Sequence, residues 1–192
     1  MKRIIFNFML LVGIFLFVLQ SCNTQPPVSQ TSVDDTAVQP AKRQKLMDDR
    51  TDYFVTISGD TIHKVFKSPD DWRQELDKTE FYVLREAGTE RAFTGDLWDN
   101  KKQGVYTCRG CQLPLFDSDT KFKSGTGWPS FFKPIEAVYI EEKTDNKYGW
   151  NRVEVLCNRC GGHLGHVFED GPAPTGLRYC INSVSLDFEE KK

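Results

Sequence analysis

Long basic runs, internal repeats and a sustained helical rhythm are what this sequence lacks, and each absence narrows its function. After Lys2 and Arg3 no run of lysine and arginine stands out, and 25 basic residues against 27 acidic leave a formal net charge of −2. Nucleic-acid binders carry a basic stripe or patch, so no nucleic-acid partner is expected and a compact or neutral substrate fits better. No unit recurs at solenoid or propeller periods, which leaves one ordinary domain plus extensions as the natural organisation of 192 residues. Beyond residue 100 no 3.6-residue apolar pattern persists, which argues against a helical bundle there.

A full-length membrane span is also missing. The one long apolar run, Ile4 to Leu19, is sixteen residues broken only by Asn7 and Gly13, against about twenty for a spanning helix. Placed behind Lys2 and Arg3 it predicts a signal peptide over residues 1–21. Its end, "LQSC", resembles a lipoprotein box, with Leu19 three before the cysteine, Ser21 just before it and Cys22 itself. That resemblance implies cleavage before Cys22 and a lipid on it, hence a bacterial envelope protein held to a membrane by its N-terminal lipid. Within residues 22–48, the stretch from Asn23 to Lys45 has no aromatic and only isolated valines among Gln, Pro, Ser and Thr. It cannot bury enough apolar surface to offset ordering entropy, so a disordered tether is expected.

Residues 49–67 read as a short extension in which "YFVTISGDTIHKVF" forms a hairpin around "SGD". A helix starts at Ser68 as N-cap, with Pro69 in the first turn, Asp70 and Asp71 suiting the dipole, and Trp72 and Leu76 on the buried face. A second helix is predicted from about Thr79 to Ala87, stopped by Gly88. After residue 100 the texture becomes short apolar and aromatic alternations, "GVYTC", "LPLF", "AVYIEEK", "RVEVLC", "GHVFE", punctuated by Gly and Pro about every ten residues. That pattern predicts a mainly antiparallel β domain. The stretch "GLRYCINSVSLDF" reads as one strand with Cys180, Asn182, Val184, Leu186 and Phe188 on one face.

Setting Cys22 aside, five cysteines remain. Cys108 and Cys111, then 45 intervening residues, then Cys157 and Cys160, form two Cys-x-x-Cys pairs, each on a turn, "CRGC" and "CNRC". Paired knuckles of this spacing predict a closed tetrahedral metal site, with zinc as the metal. Such a site leaves no position for substrate, so its role is structural, worth roughly 10 kcal/mol or more to folding. Disulfides or a thioredoxin-like redox pair are the alternatives for these four thiols in an exported protein. Cys180 is then the odd thiol, either a small buried hydrophobe or a reactive group.

Two further stretches are rich in chemical groups: "SGTGWPSFF", which delivers Trp128, and "CGGHLGHVFEDGPAPTG", which carries His163 and His166. Together with "FTGDLWDNKKQGVYTC" and "RYCINSVSL" they resemble the B-type methionine-R-sulfoxide reductases over roughly residues 68–188, which sets the expected domain at 68–190. The resemblance implies two antiparallel sheets forming a barrel-like or tent-like domain with short N-terminal helices, a structural Zn²⁺ on Cys108, Cys111, Cys157 and Cys160, and no organic cofactor. It implies a monomer that acts on oxidised proteins and draws electrons from a thioredoxin-like reductant. Cys180 matches the nucleophile, His163, His166 and Asn182 the other catalytic residues, and Trp128 and Arg178 the substrate-binding residues. Sulfoxide reduction needs a soft nucleophile for sulfur and a proton for the departing oxygen, which cysteine and imidazole supply. Asp170 is expected to be a turn residue. The chain departs from many relatives by carrying Thr126 where a recycling cysteine stands, so recycling by an external thiol is expected.

Overall fold

The computed structural model describes residues 52–146 and 152–192; Cys22, the signal segment and the tether over 22–48 lie outside the described residues. Among the described residues no helix is long and apolar enough to cross a membrane. The N-terminal extension forms the expected hairpin, β1 (Tyr53–Val55) with β2 (Thr61–His63). It is tied to the domain through the Val65 N–H, which donates to the Arg159 carbonyl at 2.7 Å.

Helix α1 (Pro69–Glu75) starts where Ser68 predicts, and the cap is reciprocal: Ser68 accepts from the Asp71 N–H while Asp71 accepts from that of Ser68. Helix α2 (Lys78–Glu86) repeats the device with Asp77 and Glu80. Its end differs from expectation. The left-handed residue is Ala87, at φ 54°, and Gly88 serves a different need: a Cβ there would fall 2.3 Å from the Tyr82 ring.

Eight more strands form two open sheets. The smaller has the order β10–β3–β4, from β3 (Gly104–Cys108), β4 (Pro114–Asp117) and β10 (Leu186–Glu190). The larger has the order β5–β9–β8–β7–β6, from β5 (Ser130–Phe131), β6 (Ile140–Asp145), β7 (Arg152–Cys157), β8 (His163–Phe168) and β9 (Arg178–Ile181). All pairings within the sheets are antiparallel. Two sheets were expected, but they are not closed into a barrel; each keeps two edge strands. The core lies between them, where Phe116 stacks on Phe131 at 4.4 Å and Tyr106 meets Phe131 at 4.9 Å.

The stretch read as one strand is two. β9 ends at Ile181, a 3₁₀ turn spans Ser183–Ser185, and β10 continues in the other sheet. On β9 the core face is Tyr179 and Ile181, while Arg178 and Cys180 face away. The physical cause is a buried carboxylate: Glu90 accepts from the N–H groups of Ser183 and Val184, capping the turn from outside the strand.

Candidate active site

A row of side chains crosses the outer face of the larger sheet. Ser130 on β5 pairs with Cys180 on β9, Cys180 with His166 on β8, and His166 with Glu154 on β7. Directly opposed residues of antiparallel strands share a face, so Cys180 sits between a hydroxyl and an imidazole. His163 reaches the same face only because the register shifts between Val155 and Leu156. That shift leaves Leu164 as an extra residue, so residues three apart, which would normally point oppositely, point together. Their rings lie 5.5 Å apart.

Asn182 maintains this bulge. Its backbone N–H and its Nδ2 both donate to the Leu164 carbonyl, at 2.8 and 3.0 Å, and its Oδ1 accepts from the Glu90 N–H at 3.1 Å. The asparagine is therefore buried and spent on backbone, holding β8 in place. The family resemblance places it among the catalytic residues; in this fold its side chain bonds backbone and bears on the histidines through the strand that carries them.

Cys180 opens onto a cavity of about 190 Å³ lined by Trp128, Phe168, His166, Asn182, Thr89 and Arg152. Trp128 and Phe168 provide the aromatic walls, and Trp128 is fixed by its Nε1–H, which donates to the Glu90 carbonyl at 3.2 Å. His163 does not line this cavity. It faces a neighbouring polar one of about 390 Å³ that shares His166, Arg152 and Thr89. The two histidines thus divide, His166 at the thiol and His163 behind it. His166 Nε2 lies 3.0 Å from Asp145 Oδ2, which also accepts from Arg152 at 2.8 Å. His163 Nδ1 lies 2.6 Å from Glu154 Oε1.

Arg178 stands beside Cys180, outside the cavity wall. Its guanidinium grips Asp170 with two bonds, at 2.8 and 2.9 Å, and lies over the Phe168 ring at 4.4 Å. Asp170, expected to be only a turn residue, therefore anchors a cation at the site. Burial pushes the Cys180 thiol above its ordinary range, and hydrogen bonding to Thr126 and the charge of Arg178 only partly oppose it. Thr126 Oγ1 lies 3.8 Å from Cys180 Sγ.

Sequence reasoning missed Glu90, Asp145, Arg152, Glu154 and Phe168. Glu154 carried a faint signal, a charge between two valines in "RVEVLC". Nothing around Glu90 marked it.

The two knuckles meet as expected. The sulfurs of Cys108, Cys111, Cys157 and Cys160 all lie within 4.8 Å of one another, with 3.6 Å separating Cys108 from Cys160 and Cys111 from Cys157. The four are free thiols with no disulfide. Such a cluster suits a tetrahedral thiophilic cation, which would relieve the repulsion of four thiolates. Trp72 packs beside Gly110 in the first knuckle, Arg85 donates to the Cys160 carbonyl and Arg159 to that of Cys111.

Residues 76–190 match the SelR domain family. A peptide methionine sulfoxide reductase MsrB of Methanosarcina barkeri is 58% identical over 128 residues, covering 67% of this chain and 90% of its own. Proteins of the same name from Leptospira interrogans and Agrobacterium fabrum are 52% and 54% identical over 129 residues, covering 67% of this chain and 98% and 96% of their own. The SelR match spans more than half the sequence and these relatives are covered almost end to end, so the chain belongs to the MsrB family of peptide methionine sulfoxide reductases.

Proposed function

We propose that the protein reduces the R diastereomer of methionine sulfoxide in oxidised proteins to methionine, using electrons from an external thiol. The observation that carries this reading is the half-buried Cys180 thiol opening on an aromatic-walled cavity with His166 directly across the strand pair. Trp128 and Phe168 offer apolar and sulfur–aromatic contact to the S-methyl group. Cys180 attacks the sulfoxide sulfur. The proton it gives up passes, through His166, to the sulfoxide oxygen, which cannot depart as oxide. The sulfur–oxygen bond of the substrate breaks as oxygen passes to the cysteine, leaving methionine and a Cys180 sulfenic acid. Two electrons have moved from cysteine to substrate. Because the thiol is protonated at rest, the proton needed by oxygen is already in the site.

Two external thiols then reduce the sulfenic acid, releasing water and a disulfide. Thr126 places its hydroxyl 3.8 Å from the Cys180 sulfur and offers no sulfur of its own, which favours direct reduction. In an envelope protein the donor is a thioredoxin-like protein. We further propose Zn²⁺ as the ion of the four-cysteine cluster, held by Cys108, Cys111, Cys157 and Cys160; it supplies structure and takes no part in the reaction. Residues 68–190 are the catalytic domain of a monomer. Residues 1–21 are removed and Cys22 carries a lipid, so that repair takes place at the cell envelope.

The test is stereospecific reduction: protein, a dithiol and separate R and S methionine sulfoxides. Selective consumption of the R form is expected, abolished in Cys180→Ser while fold and metal persist. Equal turnover by Cys180→Ser sinks the reading.

A further inference from the structure

A concavity of about 520 Å³ adjoins the Cys180 cavity and shares Trp128 with it. Ser124, Gly125 and Gly127 of the intervening loop line the larger space, whereas Thr126 turns to the thiol. A group held beside Cys180 therefore has a second surface waiting next to it, and the composition of that surface is unusual.

Its apolar part is aromatic: Phe93, Trp98, Phe122 and Trp128. Phe93 is 56% exposed and adopts φ 66°. A bulky residue in the left-handed region is unfavourable, and one left exposed regains nothing by burial. The surroundings hold it there. Its N–H donates to the Gly127 carbonyl at 2.9 Å, its ring meets Trp98 edge-on at 5.3 Å, and a Cβ on Gly127 would lie 2.8 Å from it. An exposed aromatic held so firmly beside a reactive pocket reads as a contact surface.

The charged part is one-sided. Lys101, Lys102, Lys121 and Lys123 line the groove with Asp99 as the lone acid, on a chain whose formal charge is −2. Lys101 is balanced by Asp99 and Lys102 by Glu190. Lys121 is half-buried with its Nζ held by the carbonyls of Trp98 and Asn100, at 2.9 and 3.0 Å. Lys123 is exposed and makes no ion pair with a carboxylate among the described residues. Two cations thus face the groove with no carboxylate hydrogen-bonded to them.

We infer that this groove receives the polypeptide flanking an oxidised methionine and selects flanks that carry Asp or Glu, whose carboxylates pair with Lys121 and Lys123 while the chain lies across the aromatics. The inference rests on the reductase reading above. Each flanking residue extends about 3.3 to 3.6 Å, so a few residues are enough to pass from one space to the other.

The test uses peptides with one R-methionine sulfoxide flanked by Glu, by Lys or by Ser, reduced by a small dithiol so that no protein reductant competes for the surface. At low ionic strength kcat/KM for the Glu peptide is expected to exceed that for the Lys peptide by about threefold to tenfold, mostly through KM. The ratio shrinks as salt is added. Lys123→Glu brings it to one or inverts it. Phe93→Gly suits the left-handed backbone, so it is expected to keep the melting temperature while raising KM for the peptides relative to free methionine sulfoxide. Turnover with equal values for all three peptides, or a preference untouched by Lys123→Glu, overturns the groove and leaves the reductase reading standing. Failure to reduce any sulfoxide, free or in a peptide, overturns both.

Discussion

The Cys180 sulfur is subject to opposed influences. Burial raises its pKa, while hydrogen bonding to Thr126 and the charge of Arg178 lower it, and burial prevails. A thiol raised in this way is protonated at neutral pH and its nucleophilicity grows as pH rises through the elevated value. Alkylation of Cys180 by iodoacetamide, followed by mass spectrometry, is therefore expected to accelerate with pH along a curve displaced upward from that of a free cysteine. Arg178→Ala removes a cation that favours the thiolate, so its curve moves further up; an unchanged curve would mean that Asp170 fully neutralises the arginine. At this scale the sequence was informative about identity and poor about environment. Cys180 stood out by count, yet Glu90, which fixes both the turn after it and Trp128, sits in "GTERAF" with no local pattern to betray it.

Among the elements, helix starts were legible because capping is local. Ser68, Pro69 and the acids that follow specify α1 within one turn of chain, and the structure returns the same cap. The end of α2 was less legible. A glycine after a helix usually takes the left-handed position, but here Tyr82 occupies the space over Gly88 and the chain turns at Ala87 instead. An alanine at φ 54° is disfavoured by about 1 kcal/mol relative to glycine. Ala87→Gly is accordingly expected to raise stability by about that amount in urea denaturation, provided that the Tyr82 contact survives; a loss of stability would show that the Ala87 side chain packs usefully. The β8 bulge was invisible for a different reason. Its extra residue, Leu164, is defined only by pairing with β7, and nothing in "GGHLGHVF" reveals a register.

For the whole molecule, the four-cysteine cluster joins segments that lie far apart in sequence: the turn after β3, the turn after β7 and, through Arg85 and Trp72, both helices. Closing so long a loop without a bound ion sacrifices chain entropy and crowds four sulfurs together. With the proposed Zn²⁺ held by the cluster, its removal by a strong chelator, or Cys108→Ser, is expected to lower the melting temperature steeply and expose the aromatic core, followed by near-ultraviolet circular dichroism. A chelated protein that melts unchanged would show that the sheets hold without the ion. The division of thiols also explains why the core and the site coexist in so small a domain. Phe116, Phe131 and Tyr106 fill one side of the larger sheet, and Cys180 and His166 use the other.

What the sequence determined alone was whatever neighbours along the chain decide: the helix caps, the hairpin, the pairing of cysteines into knuckles and the presence of one spare thiol. Tertiary structure decided which groups face that thiol. A one-residue slip in β8 sends a histidine to the opposite face, and that slip is set by hydrogen bonds from Asn182 to Leu164 and from β7, across distances in sequence that no local pattern spans.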